Sequence, residues 1–287
     1  MIGRLGRREL IALGLSLPLL ARQPAAAAAT VAPSLRWGID YGHATSPALA
    51  REFELLVLEP EHARATAPLR GPSSRLLGYI SLGEVEMARP YAARLERGGA
   101  LQAPNPNWPD ARYVDLRHPM WKELVLDTLV PHVLDKGFDG IFLDTMDNAE
   151  SMERQDKRNA GMVAAGAELI HAIRQRYPQC RIMLNRGYAL LPQAAPHIDY
   201  VLGEAMSSRW NFAKKEYEMA SQDDWTWQAT HLRAAKQTNP ALTVTTLDYW
   251  DPADTKTVAS LYARERAADF NPYVTILALD RLIPEPR

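Results

Sequence analysis

Short runs of Val, Ile, Leu, Tyr and Phe recur from residue 36 onward, and most of them end in a polar residue. Eight runs have the length and composition of buried strands: 36–40, 55–59, 76–82 (LLGYISL), 140–144 (GIFLD), 181–185 (RIMLN), 199–202, 242–248 (LTVTTLD) and 273–279 (YVTILAL). Between most of them apolar residues recur three and four apart, which predicts helices over 120–134, 159–177, 223–237 and 254–268. Asp223 is placed to cap the third helix, and Pro252 suits the approach to the fourth. Strands alternating with helices predict a closed parallel (β/α)8 TIM barrel, with an open doubly wound sheet as the runner-up. No Gly-rich phosphate loop follows the first run, which argues against nucleotide binding. The longest connections are 83–112, rich in Pro and Gly and read as mostly loop, and 205–222. In a barrel both would lie over the C-terminal rim, where active sites form.

The first segment does not fit this pattern. Arg4, Arg7 and Arg8 precede an apolar run over 10–21, too short to span a bilayer, and the alanines of 25–29 follow. A positive start, an apolar middle and a small-residue end predict a secretory signal peptide over 1–29 and a short linker over 30–35. The remaining barrel domain is 36–287. The adjacent Arg7 and Arg8 fit twin-arginine export, and a Sec signal fits equally well. The protein is therefore expected to be exported, periplasmic or extracellular, with no stable membrane anchor after cleavage. The mature chain keeps 29 basic and 33 acidic residues, a net charge of −4, which does not suit nucleic-acid binding. A single cysteine, Cys180, excludes an intramolecular disulfide, so the core must stabilise the fold unaided. A core of that size is available, with 47% of the 287 residues hydrophobic and 23% charged.

Candidate chemistry gathers where the apolar runs stop. In chain order these ends carry Asp40 with Tyr41, Glu59, Glu84, Asp144, Asn185 with Arg186, Glu204, and Asp248 with Tyr249 and Trp250. Turns favour Asp and Asn at strand ends, but they do not favour Glu. Two acids stand in the sharpest contexts, Asp144 in FDGIFLDTMDN and Glu204 in IDYVLGEAM. Glycosidic cleavage needs two carboxyl groups flanking one bond. One protonates the leaving oxygen, and the other attacks the anomeric carbon or activates water. Aromatic residues on or near the rim, Tyr41, Trp108, Trp210, Tyr249 and Trp250, suit the apolar faces of sugar rings, whereas Tyr79, inside a strand, reads as core. None of the seven histidines has metal-ligand spacing, and His43 is the one placed to line the site.

The stretches WGIDYG, GYISLGE, GIFLDTMDN, MLNRG, GEAM and TLDYWD, in this order along the chain, resemble glycoside hydrolase family 114, the endo-α-1,4-polygalactosaminidase-like TIM barrels. The resemblance covers 36–280. It implies a retaining, endo-acting enzyme on α-1,4-linked galactosamine-containing exopolysaccharide, with Asp144 as nucleophile and Glu204 as acid/base. Asp40, Tyr41, Glu59, Glu84, Asn185, Arg186, Asp248, Tyr249 and Trp250 are the expected substrate-binding residues, and no metal or organic cofactor is implied. Glu204 must start protonated and Asp144 ionised, which leads us to expect a raised Glu204 and hydrogen-bond donors that keep Asp144 charged. The partner is the polysaccharide, and the chain is expected to act as a monomer. The alternatives are a non-catalytic carbohydrate-binding barrel and a barrel enzyme of other chemistry.

Overall fold

The apolar runs are buried on both faces, as strands must be when helices cover one face and barrel side chains fill the other. Leu55–Leu58, for example, buries all four residues. The computed structural model describes residues 35–62, 65–106 and 108–286, so the expected leader and most of the linker lie outside the described residues. Eight strands form one parallel sheet in chain order: β1 Trp37–Asp40, β2 Leu55–Leu58, β3 Arg75–Ser81, β4 Gly140–Asp144, β5 Arg181–Asn185, β6 Tyr200–Glu204, β7 Thr243–Tyr249 and β8 Asn271–Thr275. Each strand pairs parallel with the one before it, so every connection crosses over and the sheet curls into a nearly closed (β/α)8 barrel.

β1 and β8 meet without a regular ladder. The Trp37 indole N–H donates to the Asn271 carbonyl at 2.7 Å, and the Tyr41 N–H donates to the Leu279 carbonyl at 2.6 Å. Trp37 also packs against Tyr273, with ring centroids 5.6 Å apart. The expected eighth strand ran to residue 279. The ladder stops at Thr275, because the chain turns there and reaches Leu279 with φ of 48°. Apolar character continues past the turn, and hydropathy alone does not mark it.

The helices fall where the spacing places them, at Met162–Arg176, Gln222–Thr238 and Thr255–Ala267, the last two capped by Ser221 and Asp254. The 119–135 helix widens into a π turn at Val125–Leu129 beside Pro131, which lacks an N–H for the regular ladder. The long 83–112 connection is more ordered than its Pro and Gly content suggests. It forms a three-stranded antiparallel sheet of Glu84–Glu86, Leu101–Pro104 and Ala111–Val114, with a helix at Ala92–Arg97. The prolines sit at the strand end and in the turn, where no ladder N–H is required. The 205–222 connection is a hairpin of Ser208–Asn211 and Glu216–Met219. Cys180 is buried, and burial pushes its thiol up to about 12, which suits a packing role. Among the described residues no helix is long and apolar enough to cross a membrane.

The part the Trp37 indole plays in closure is testable. Trp37→Phe leaves the Asn271 carbonyl without its donor and should lower unfolding free energy by about 1–3 kcal/mol in a urea titration. A loss no larger than that of an exposed substitution would show that the barrel closes by other means.

Candidate active site

Three neighbouring strands end in Asp144, Asn185 and Glu204, and the backbone makes the same move after each of them. Thr145, Arg186 and Ala205 all adopt left-handed conformations, with φ of 64°, 52° and 55°. Such conformations cost non-glycine residues about 1–3 kcal/mol each, and a β-branched residue suffers most. At Thr145 the conformation is held by its own hydroxyl, which donates to the Asp144 carbonyl, accepts from Gly83 N–H at 2.8 Å and bonds the Ser81 hydroxyl at 2.9 Å. Gly83 is required there, since a Cβ would lie 2.1 Å from the Thr145 carbonyl oxygen. The repeated turn sends the chain away from the sheet and leaves three side chains facing one another.

Their arrangement is set by one nitrogen. Asn185 Nδ2 donates to Asp144 Oδ1 and to Glu204 Oε2, each at 2.8 Å. Carboxylates accept only, so the amide must present its nitrogen to both. Twice 2.8 Å places those two oxygens no more than 5.6 Å apart. The second Glu204 oxygen, Oε1, accepts the Tyr249 hydroxyl at 2.6 Å. The Tyr79 phenol lies beside Asp144, and Tyr41 packs edge-on against Tyr79 with centroids 5.1 Å apart. Burial and the neighbouring carboxylates hold all three phenols well above their ordinary range, so they stay protonated. Asp144 is half-buried on the cleft floor, and desolvation, reinforced by the Glu204 charge, pushes its carboxyl up to about 6 despite the Asn185 bond. The sequence suggested that donors would hold this group down; desolvation outweighs them.

These residues form the floor of a cleft of about 260 Å3. Its wall carries Glu84, whose Oε1 accepts Asn105 and Asn148 amides, each at 2.6 Å. Desolvation raises the Glu84 and Asp147 carboxyls. Arg186 faces Asp147 at 3.6 Å, and Trp108 lines the mouth with its ring largely exposed.

Of the residues expected at the rim, Asp144, Asn185, Glu204, Glu84 and Arg186 line this cleft, and Tyr41 and Tyr249 pack behind its acids. Four stand elsewhere. Asp40 is buried and accepts the Gly42 N–H at 2.8 Å, closing a turn. Glu59 pairs with Arg89 at 3.5 Å. Asp248 is fully buried and accepts the Ser207 and Ser208 N–H groups. Trp250 packs against the 255–267 helix and donates to Asp254 at 3.1 Å. His43 stacks on His62 rather than entering the cleft. Among the described residues no group of acids, histidines and cysteines could hold a metal ion.

The sequence profile of glycoside-hydrolase family GH114 matches residues 20–286. The chain belongs to family GH114. As a GH114 glycoside hydrolase it is similar to the glycoside hydrolase domain of PelA from Pseudomonas aeruginosa, at 26% identity and a TM-score of 0.77, covering 87% of this chain and 98% of that one. It shares its fold with Aspergillus fumigatus Ega3, solved in complex with galactosamine, at 15% identity and a TM-score of 0.63, covering 88% and 96%. An uncharacterized protein of Deinococcus radiodurans is 28% identical over 270 residues, 86% of this chain and 82% of that one.

Within this GH114 site, Tyr79, Asn105, Asp147 and Asn148 escaped the sequence reading. Asp147 and Asn148 end the stretch GIFLDTMDN, where they look like turn and helix-start residues. Tyr79 looks like core because its strand is apolar. Asn105 comes from the 83–112 insertion, and nothing in its local sequence points to the barrel.

The raised Asp144 carboxyl has a stability consequence. A group lifted from 3.8 to about 6 is bound to its proton more tightly in the folded chain, so wild-type stability falls as pH rises from about 4 to 6 and stays lowered above. Asp144→Asn removes that dependence. The variant should exceed wild type by about 2–3 kcal/mol at pH 8 and by nothing at pH 3.5, measured by denaturant titration at both. Equal differences at the two pH values would contradict the assignment.

Proposed function

We propose that this glycoside hydrolase is a retaining, endo-acting enzyme on α-1,4-linked, galactosamine-containing exopolysaccharide, with Asp144 as nucleophile and Glu204 as acid/base. The observation that carries the mechanism is the shared amide, which keeps the facing oxygens within 5.6 Å. Carboxyl groups about 5–5.5 Å apart suit direct attack on the sugar, whereas inversion leaves about 6.5–9.5 Å for a water between them.

In the first step Glu204 gives its proton to the glycosidic oxygen while Asp144 attacks the anomeric carbon. The C–O bond to the leaving chain breaks, and an ester to Asp144 forms. Glu204, now ionised, takes a proton from water, the hydroxide adds to the anomeric carbon, and Asp144 leaves. Asn185 stabilises whichever carboxylate carries the charge, and Tyr249 orients Glu204. No metal or organic cofactor enters these steps.

The preference for amine-bearing sugar has two supports. Among the described residues the cleft carries Glu84, Asp144, Asp147 and Glu204 against a single cation, Arg186. Such a field attracts an ammonium group. The same fold in Ega3 has been solved with galactosamine. The arginine-led apolar leader supports export to the periplasm or beyond, where the mature chain acts as a monomer on polysaccharide, without nucleic-acid partners.

Asp144→Asn should reduce turnover by at least about 10⁴-fold while sugar binding survives. Glu204→Gln should lose most activity on polymer yet keep more on substrates whose leaving group needs no protonation. Proton NMR of fresh product should show the α-anomer first; initial β-anomer would overturn the assignment.

Charge makes a further prediction. Asp144 must be ionised to attack, so kcat/KM should fall as pH drops below about 6. A bound ammonium favours the ionised acid, so the acid limb of kcat should lie lower than that of kcat/KM. N-acetylated polymer should bind more weakly and lose this separation. Equal affinity for both polymers at low salt would contradict recognition of the amine.

A further inference from the structure

Behind the cleft wall, two acids are buried where neither reaches the cleft. They are Asp248 of β7 and Glu265 of the 255–267 helix, both without exposed surface. Asp248 Oδ1 accepts the Ser207 and Ser208 N–H groups, each at 2.7 Å. Glu265 Oε1 accepts the Ser207 hydroxyl and the Trp225 indole N–H, the latter at 2.8 Å. Both acids therefore grip the turn that leaves Glu204, and Ser207 bonds to each of them. The same turn begins with the left-handed Ala205, whose N–H donates to the Leu247 carbonyl at 2.8 Å. The next residue of β7, Tyr249, donates to Glu204 itself. β7 thus holds Glu204 twice, directly through Tyr249 and through the backbone by way of Asp248.

The remaining oxygens of the two acids, Asp248 Oδ2 and Glu265 Oε2, are buried, and among the described residues no donor reaches either. Two ionised carboxylates would leave both oxygens unsatisfied in a low-dielectric site and would repel each other. One proton on either acid neutralises a charge and removes that repulsion. Arg264 and Arg233 favour ionised Glu265, while the Ser207 and Ser208 N–H groups and the Ser208 hydroxyl only partly offset the burial of Asp248.

We propose that Asp248 and Glu265 hold one proton between them and act as a positioning pair for Glu204, fixing the 205–208 turn on which that carboxylate stands. The positioning role rests on the function proposed for Glu204; the shared proton does not. Burial and the Glu265 charge push Asp248 up to about 7, and burial raises Glu265 as well. Above that pH the proton leaves, the acids repel, and the turn loosens, so kcat should decline on the alkaline side.

Asp248→Ala removes the acceptor for both serine N–H groups. It should lower kcat about tenfold or more, with KM changed less than about twofold. Asp248→Asn keeps that acceptor and, being neutral, stands in for the protonated acid. It should restore kcat to within about threefold of wild type and move the alkaline limb up by about one pH unit. The proton itself is read by infrared titration in an Asp144→Asn, Glu204→Gln background, so that neither cleft acid contributes. A protonated-carboxyl band should be present at pH 6, fade as pH rises through about 7, and be absent when Asp248→Asn is added. No band at pH 6, or a band that survives Asp248→Asn, overturns the shared proton. Equal kcat losses in the two Asp248 variants, with an unchanged pH profile, overturn the positioning role. Failure of the Glu204 reading would show separately, as full polymer activity in Glu204→Gln with the infrared band intact.

Discussion

Two carboxylates held within hydrogen-bonding reach of one nitrogen are the constraint on which the site depends. Left alone, Asp144 and Glu204 would repel and separate, or one would take up a proton and leave the other undirected. The Asn185 amide offers each of them one N–H at 2.8 Å, which offsets the repulsion and fixes the spacing together. That arrangement needs three side chains at adjacent strand ends, and a parallel barrel with β4, β5 and β6 in chain order supplies them.

The barrel meets this demand at some cost in stability. Three left-handed turns and an acid pair in low dielectric work against folding. The surrounding structure overdetermines them: Thr145 is tied by its own hydroxyl, Tyr249 is fixed on β7, and Asp248 anchors the turn after Glu204. Strain and perturbed acids concentrated in one place are what a catalytic cleft in an otherwise apolar barrel requires. The 83–112 insertion adds a wall to the cleft, with Glu84 held by two amides and Trp108 largely exposed at the mouth.

Much of this was legible in the sequence. The strands were visible because buried parallel strands are continuous apolar runs, and the family resemblance ran through their ends. The fine selection among rim residues was not. Asp248 and Tyr249 are neighbours on one strand, so their side chains leave on opposite faces; Tyr249 meets Glu204 and Asp248 meets the helix layer. A polar residue at a strand end does not reveal its face. Asp40 and Glu59 were expected at the rim on the same grounds, and local turns and Arg89 take them instead. The order hidden in 83–112 was obscured by prolines that sit at a strand end and in turns.

Covalent trapping tests the central claim most directly. Glu204→Gln should be incubated with an α-galactosaminyl fluoride, whose leaving group needs no proton, and then digested for mass spectrometry. Attack by Asp144 should proceed while hydrolysis lacks its base, so the peptide containing Asp144 should gain the mass of one galactosaminyl residue on that side chain. Fluoride released without any adduct, or an adduct on another residue, would contradict the account.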